Sequence, residues 1–117
     1  MFNLANNHSD DCGEENFSNM HEWMRSQHIP VFGDAKNGTI YTWTGIIRGE
    51  KFAMVGINSI ETSVDWKDKI HNIENLTASG YLVIANFHWG KEFSTGVTTT
   101  QKKVAHEAID AGARLII

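Results

Sequence analysis

Tyr81-Leu82-Val83-Ile84-Ala85-Asn86-Phe87 is a nearly unbroken apolar run that ends in His88-Trp89-Gly90. Such a run is expected of a strand buried on both faces of a parallel sheet. Working outward, Trp66, Ile70, Ile73 and Leu76 precede it at helical spacing, behind Thr62-Ser63-Val64-Asp65, which fits a capping box. Gly80 is a natural stop for that helix. On the other side, Thr98-Thr99-Thr100-Gln101 is a second capping box. Val104, Ala105, Ala108 and Ile109 supply an apolar stripe, Gly112 ends the helix, and Leu115-Ile116-Ile117 reads as the next buried strand. Two strand–helix–strand passages predict an α/β layered fold, with right-handed crossovers between parallel strands.

Upstream, Ile40 to Ile47 and Lys51 to Ile57 are β-rich runs joined by Arg48-Gly49-Glu50, the pattern of a hairpin. Pro30-Val31-Phe32 and Met1 to Ala5 are short strand candidates. From Glu14 to about Gln27, Phe17, Met20 and Met24 recur at helical spacing, and Glu14 and Glu15 suit the positive end of a helix dipole.

With 117 residues, 41% apolar and 21% charged, the chain is one folded domain at most. Fourteen acids against ten bases give a net charge of −4, which excludes a broadly basic nucleic-acid surface. The single cysteine, Cys12, excludes an internal disulfide framework and a multi-cysteine zinc site, and reads as a small buried residue rather than a nucleophile. No stretch approaches the roughly 18–20 apolar residues that span a bilayer. Met1 to Gly13 has neither the basic nor the apolar region of a signal peptide. Phe2 to Ala5 and Leu115 to Ile117 place apolar, strand-like runs at both ends, so residues 1–117 are expected to be a single partial domain inside a longer chain.

Three strands run into polar residues at their carboxyl ends, where an α/β sheet usually carries its site: Asn6-Asn7-His8, Asn58-Ser59 and His88-Trp89-Gly90. Taken together the motifs resemble a known family. Asn3-Leu4-Ala5-Asn6-Asn7-His8-Ser9-Asp10-Asp11-Cys12-Gly13 is similar to the "LANNHxxDxG" signature of the CapA-like bacterial capsule (poly-γ-glutamate) synthesis proteins. His88-Trp89-Gly90-Lys91-Glu92-Phe93 resembles that family's "HWGxEY" motif, with Phe for Tyr. Gln101, Ala105-His106 and Asp110-Ala111-Gly112-Ala113 resemble its "Q…AH…DAGA" helix. The matches keep the family's order and span nearly the whole chain.

The resemblance implies an α/β, calcineurin-like metallophosphoesterase fold, a β-sandwich flanked by helices, of which this chain is a part. It implies a dinuclear divalent-metal site. Asn7-His8 matches the "GNH" element of that superfamily, with Asn6 in place of Gly. By carry-over, Asn7 and His88 are metal ligands and His8 stabilises or protonates the leaving oxygen. Asp11, Asn6 and Glu92 are the candidates for supporting roles, Asp11 as a partner of His8 or of the local backbone. The family's leading Gly-Asp strand, its middle acidic strand and its closing His-Pro-His are absent from residues 1–117, and they carry most of the ligands. This chain alone is therefore expected to bind metal weakly and to turn nothing over. The implied activity is a hydrolase serving capsule synthesis, with an anionic polymer or a phosphate ester as partner, placed by the resemblance at the cell surface or membrane and otherwise in the cytoplasm. The rival is a non-catalytic domain that keeps the fold and grips polymer or protein.

The remaining histidines read as structural or solvated. His21, His28 and His71 lack ligand-like spacing and are expected on solvated helix faces or loops, and His106 on a helix surface. Trp89 reads as a packing residue, and the early acids Asp10, Asp11, Glu14, Glu15 and Glu22 as a solvated helix start.

Overall fold

A computed structural model describes residues 1–36, 42–60, 64–91 and 93–117. Its main sheet has the order β3 (Thr42–Ile47), β4 (Glu50–Asn58), β5 (Leu82–His88) and β6 (Ala113–Ile116). The β3–β4 pair is antiparallel, and β4–β5 and β5–β6 are parallel. Parallel neighbours need a crossover, and the helices α2 (Trp66–Ala78) and α3 (Thr99–Asp110) supply it. The predicted strand–helix–strand units and hairpin are thus present. Ile40 and Tyr41, placed in the first hairpin strand by sequence, lie outside the described residues.

Local chemistry explains the element ends. The hairpin turns on Arg48-Gly49, with Ile47 opposite Glu50 and φ of 53° and 88° at the two turn residues. Two positive φ values are what a tight turn matched to strand twist requires. Asp65 caps α2, its carboxylate accepting from the Lys67 amide at 2.9 Å. The helix therefore begins after Asp65; Thr62 and Ser63, expected to open its capping box, lie outside the described residues. The second predicted box is present in full: Thr98 Oγ1 accepts from the Gln101 amide at 3.1 Å, and Gln101 Oε1 accepts from the Thr98 amide at 2.7 Å. Gly80 and Gly112, both at positive φ, follow the two helices.

The sheet's two faces differ. Ala53, Val55 and Ile57 of β4 and Val83, Ala85 and Phe87 of β5 are buried against Ile73 of α2 and Val104 and Ala108 of α3. The alternate residues, among them Met54, Leu82 and Ile84, are only half-buried. The prediction that β5 is buried on both faces therefore holds for one. Helices cover that face along its length, whereas the other is covered mainly toward the carboxyl ends of the strands.

That partial cover is a second, smaller layer. Here β1 (Phe2–Asn3) pairs in parallel with β2 (Val31–Phe32), and α1 (Glu14–Ser26) packs beside them. Leu4, Phe17 and Ala35 form its core, with Met20 and Val31 around them. Two glycines let this layer touch the sheet. A methyl group on Gly56 would lie 2.5 Å from Asn3 Oδ1 and 2.8 Å from the Gly33 Cα. A side-chain amide ties the layers further on, Asn3 Nδ2 donating to Asn86 Oδ1 at 2.9 Å.

Two sequence expectations fail in this layer. His21 is buried, because it follows Phe17 by one helical turn and shares its inward face. Burial, and then the nearby Arg25 charge, hold its imidazole below the ordinary histidine value. Cys12 is exposed, because it sits in the turn that Gly13 closes by donating its amide to the Asp10 carbonyl at 2.7 Å. His28, His71 and His106 are exposed, as expected. The early acids are less isolated than their sequence suggests, since Lys36 Nζ reaches Asp10 at 3.2 Å and Glu14 at 3.8 Å.

Candidate functional site

The chain leaves β1 through a turn built by its own asparagines. Asn3 Oδ1 accepts from the Ala5 amide at 2.9 Å, and Asn6 Oδ1 accepts from the His8 amide at 2.8 Å. Asn and Asp side chains commonly form such backbone-mimicking turns. Asn6 thus shapes the turn, and Asn7 at its tip faces the carboxyl end of β5. There the His88 Nε2 and Asn7 Oδ1 meet at 2.9 Å, although the residues stand 81 positions apart.

His88 is itself fixed from the sheet side. It is in register with Asn58 of β4, and its carbonyl accepts from the Ser59 amide at 2.9 Å. Asn58, 1% exposed, donates to the Ala35 carbonyl at 2.7 Å and accepts from the Ile60 amide at 3.1 Å. The end of β4 therefore anchors both the β5 end and the loop after β2.

On the solvent side, His8 Nδ1 lies 3.0 Å from Asp11 Oδ2, and His8 Nε2 lies 3.5 Å from Asn7 Nδ2. Hydrogens follow from the partners. If the Asn7 oxygen accepts from His88, its amide nitrogen donates toward His8 Nε2, and His8 Nδ1 carries the proton given to Asp11. One assignment satisfies all three contacts. Both members of the His8–Asp11 pair are largely exposed, so its value lies in orienting the ring rather than in stability.

Of the sequence-predicted residues, Asn6, Asn7, His8, Asp11 and His88 meet in this one corner, and Glu92 lies outside the described residues. Trp89 packs as expected: its ring stacks on Phe87 at 4.2 Å, and Trp66 lies 6.2 Å from Phe87 on the same cluster. The structural parts of Asn3, Asn58, Asn86, Gly33 and Gly56 are not visible in any motif. One signal was present, since asparagine is depleted in strands and Asn86 interrupts an otherwise apolar run.

A carboxamide oxygen and an imidazole nitrogen are suitable metal donors. A tetrahedral zinc site takes about four, however. Among the described residues no three His, Cys, Asp or Glu side chains converge on one point. The corner therefore does not complete a metal centre from these residues alone. No helix among the described residues is long and apolar enough to cross a membrane.

The family model described as bacterial capsule synthesis protein PGA_cap matches residues 1–117. Searches of curated proteins and of solved structures return no match. With the whole length matched, and the motif residues at 6–8 and 88 brought to one corner of a mixed α/β fold, this chain belongs to the PGA_cap family of bacterial capsule synthesis proteins.

Proposed function

We propose that this capsule synthesis chain forms part of a metal-dependent, phosphoesterase-like hydrolase domain acting on a phosphate ester or an anionic polymer. The observation that carries the reading is the 2.9 Å contact between Asn7 Oδ1 and His88 Nε2. It brings together, across the length of the chain, two atoms of the kind that hold divalent ions once the proton between them is lost from the imidazole Nε2. The reading requires carboxylate ligands from outside residues 1–117. Once bound, such ions supply Lewis-acid charge and an activated hydroxide.

The chain's own residues have separable parts. Asn7 offers a neutral oxygen, which adds no negative charge against a phosphate. Asp11 holds the His8 ring by its Nδ1 side, so Nε2, once released from the Asn7 amide and protonated, is the nitrogen that gives a proton to a leaving oxygen. Asn6 keeps both residues in the turn through the His8 amide.

The test uses the full-length natural protein, with bound metal measured by mass spectrometry and hydrolysis by release of nitrophenol from bis-nitrophenyl phosphate. Asn7→Ala and His88→Ala are expected to lose bound metal and hydrolysis together. His8→Ala is expected to keep the metal and lose about 100- to 10,000-fold in kcat. A full-length protein with neither stoichiometric metal nor hydrolysis overturns the reading. That outcome favours a non-catalytic scaffold, which the self-satisfied Asp11–His8–Asn7–His88 contacts also suit, since they close the corner as a structural clasp.

A further inference from the structure

We infer that the surface directly beyond His88 is a subsite for an anionic group of the ligand, with Lys91 as its specificity-determining residue. The inference rests on the Asn7–His88 corner being the reaction site. Two depressions flank the segment after β5. One, of about 410 Å³, lies against Ser59, Trp66 and Thr98; the other, of about 280 Å³, extends along Ser94 to Val97. Trp89, Gly90, Lys91 and Gln101 line both. Among the described lining residues of either depression, Lys91 is the sole charged side chain.

The other groups suit the same ligand. Gln101 is oriented by the capping box: its Oε1 accepts from the Thr98 amide, so its Nε2 is left as the donor end. That nitrogen lies 3.5 Å from where a Cβ on Gly90 would stand, and Gly90 is at a φ of 121°. A side chain at position 90 would therefore be strained by the backbone conformation. Ser59 and Thr98 line the first depression as further polar groups, and Thr98 caps the positive end of α3. One side of Trp89 is committed to the stack on Phe87. Close by in sequence, Phe93 is fully exposed at 106%. An ammonium, an amide donor and aromatic surface fit a chain bearing carboxylates or phosphates, with one acidic group at Lys91.

The test titrates the full-length protein with pentaglutamate, with a glycerol phosphate trimer, and with pentaglutamine as the uncharged control. Affinity is read by calorimetry and the Trp89 indole N–H by NMR, before any turnover. At least one acidic probe is expected to bind and shift Trp89, with affinity falling as salt rises, and pentaglutamine is not. Whichever acidic probe binds more tightly identifies carboxylate or phosphate as the source of the charge. Lys91→Gln is expected to weaken that binding about tenfold, and Lys102→Gln, on the exposed face of α3, to leave it unchanged. Acidic probes that leave Trp89 unmoved, or equal losses in the two variants, overturn the inference. Binding that depends on Lys91 without hydrolysis defeats the hydrolase reading alone, and hydrolysis with an unchanged KM in Lys91→Gln defeats the subsite alone.

Discussion

At Gly56 there is no room for one methyl group. Its Cβ would press on Asn3 Oδ1 and on the backbone of Gly33, neither of which is the yielding end of a long side chain. Gly56→Ala is expected to destabilise the fold by about 1–3 kcal/mol, as overpacking does, read as a lower urea midpoint at unchanged slope. His21 gives a residue-scale prediction in pH. Burial first, then Arg25, disfavour its imidazolium in the folded chain, while Glu22 and Asp34 pull the other way. The unfolded chain takes up that proton near pH 6.5, ahead of the folded one. The associated stability is thus complete above that pH and is lost as pH falls through it. Chemical denaturation at pH 7.5 and 5.5 is expected to show a smaller drop for His21→Gln than for the parent. None of these partnerships was legible in sequence. The inward face of α1 is marked by Phe17, yet nothing local shows that His21 is drawn under the same cover. Gly56 likewise reads as an ordinary strand residue until a second backbone is laid on it.

Elements were more legible where their causes are local. The Thr98–Gln101 box closes within one helical turn, so its residue types suffice to predict it. The hairpin was legible too, although its turn is the pair Arg48-Gly49 and Glu50 already belongs to β4. Arg48 occupies the left-handed region at φ 53°, which favours asparagine or glycine over a long side chain. Arg48→Asn is therefore expected to stabilise the protein by up to about 1 kcal/mol, seen as a raised melting temperature. The apolar run of β5 predicted its length but not the difference between its faces. Both a doubly buried strand and one with a half-covered face accept Leu, Ile and Val, so composition does not separate them. The corner was legible for a different reason: Asn7, His8 and His88 stand out as polar residues at strand ends, and the family pattern links them. The asparagines that hold them in place resemble ordinary turn and strand residues.

At the scale of the molecule, two layers with separate cores meet along a narrow contact. In the larger, sheet order follows chain order from β3 to β6, and the central strands β4 and β5 are covered by two helices. The smaller has two-residue strands and a few core side chains. Local opening follows such differences in buried contact. Hydrogen exchange is expected to show amides of Val55, Ile57, Val83 and Ala85 protected longest and those of Leu4 and Phe17 exchanging through a separate, lower-energy opening. Uniform protection across both layers would contradict that division. The corner draws Asn7 from the smaller layer and His88 from the larger. A molecule gripping both side chains would act as a rivet, because it could bind only while the two halves are engaged. Its binding free energy would then appear as resistance to their separation, and slower exchange at Phe17, in the core of the smaller layer, would reveal the occupant.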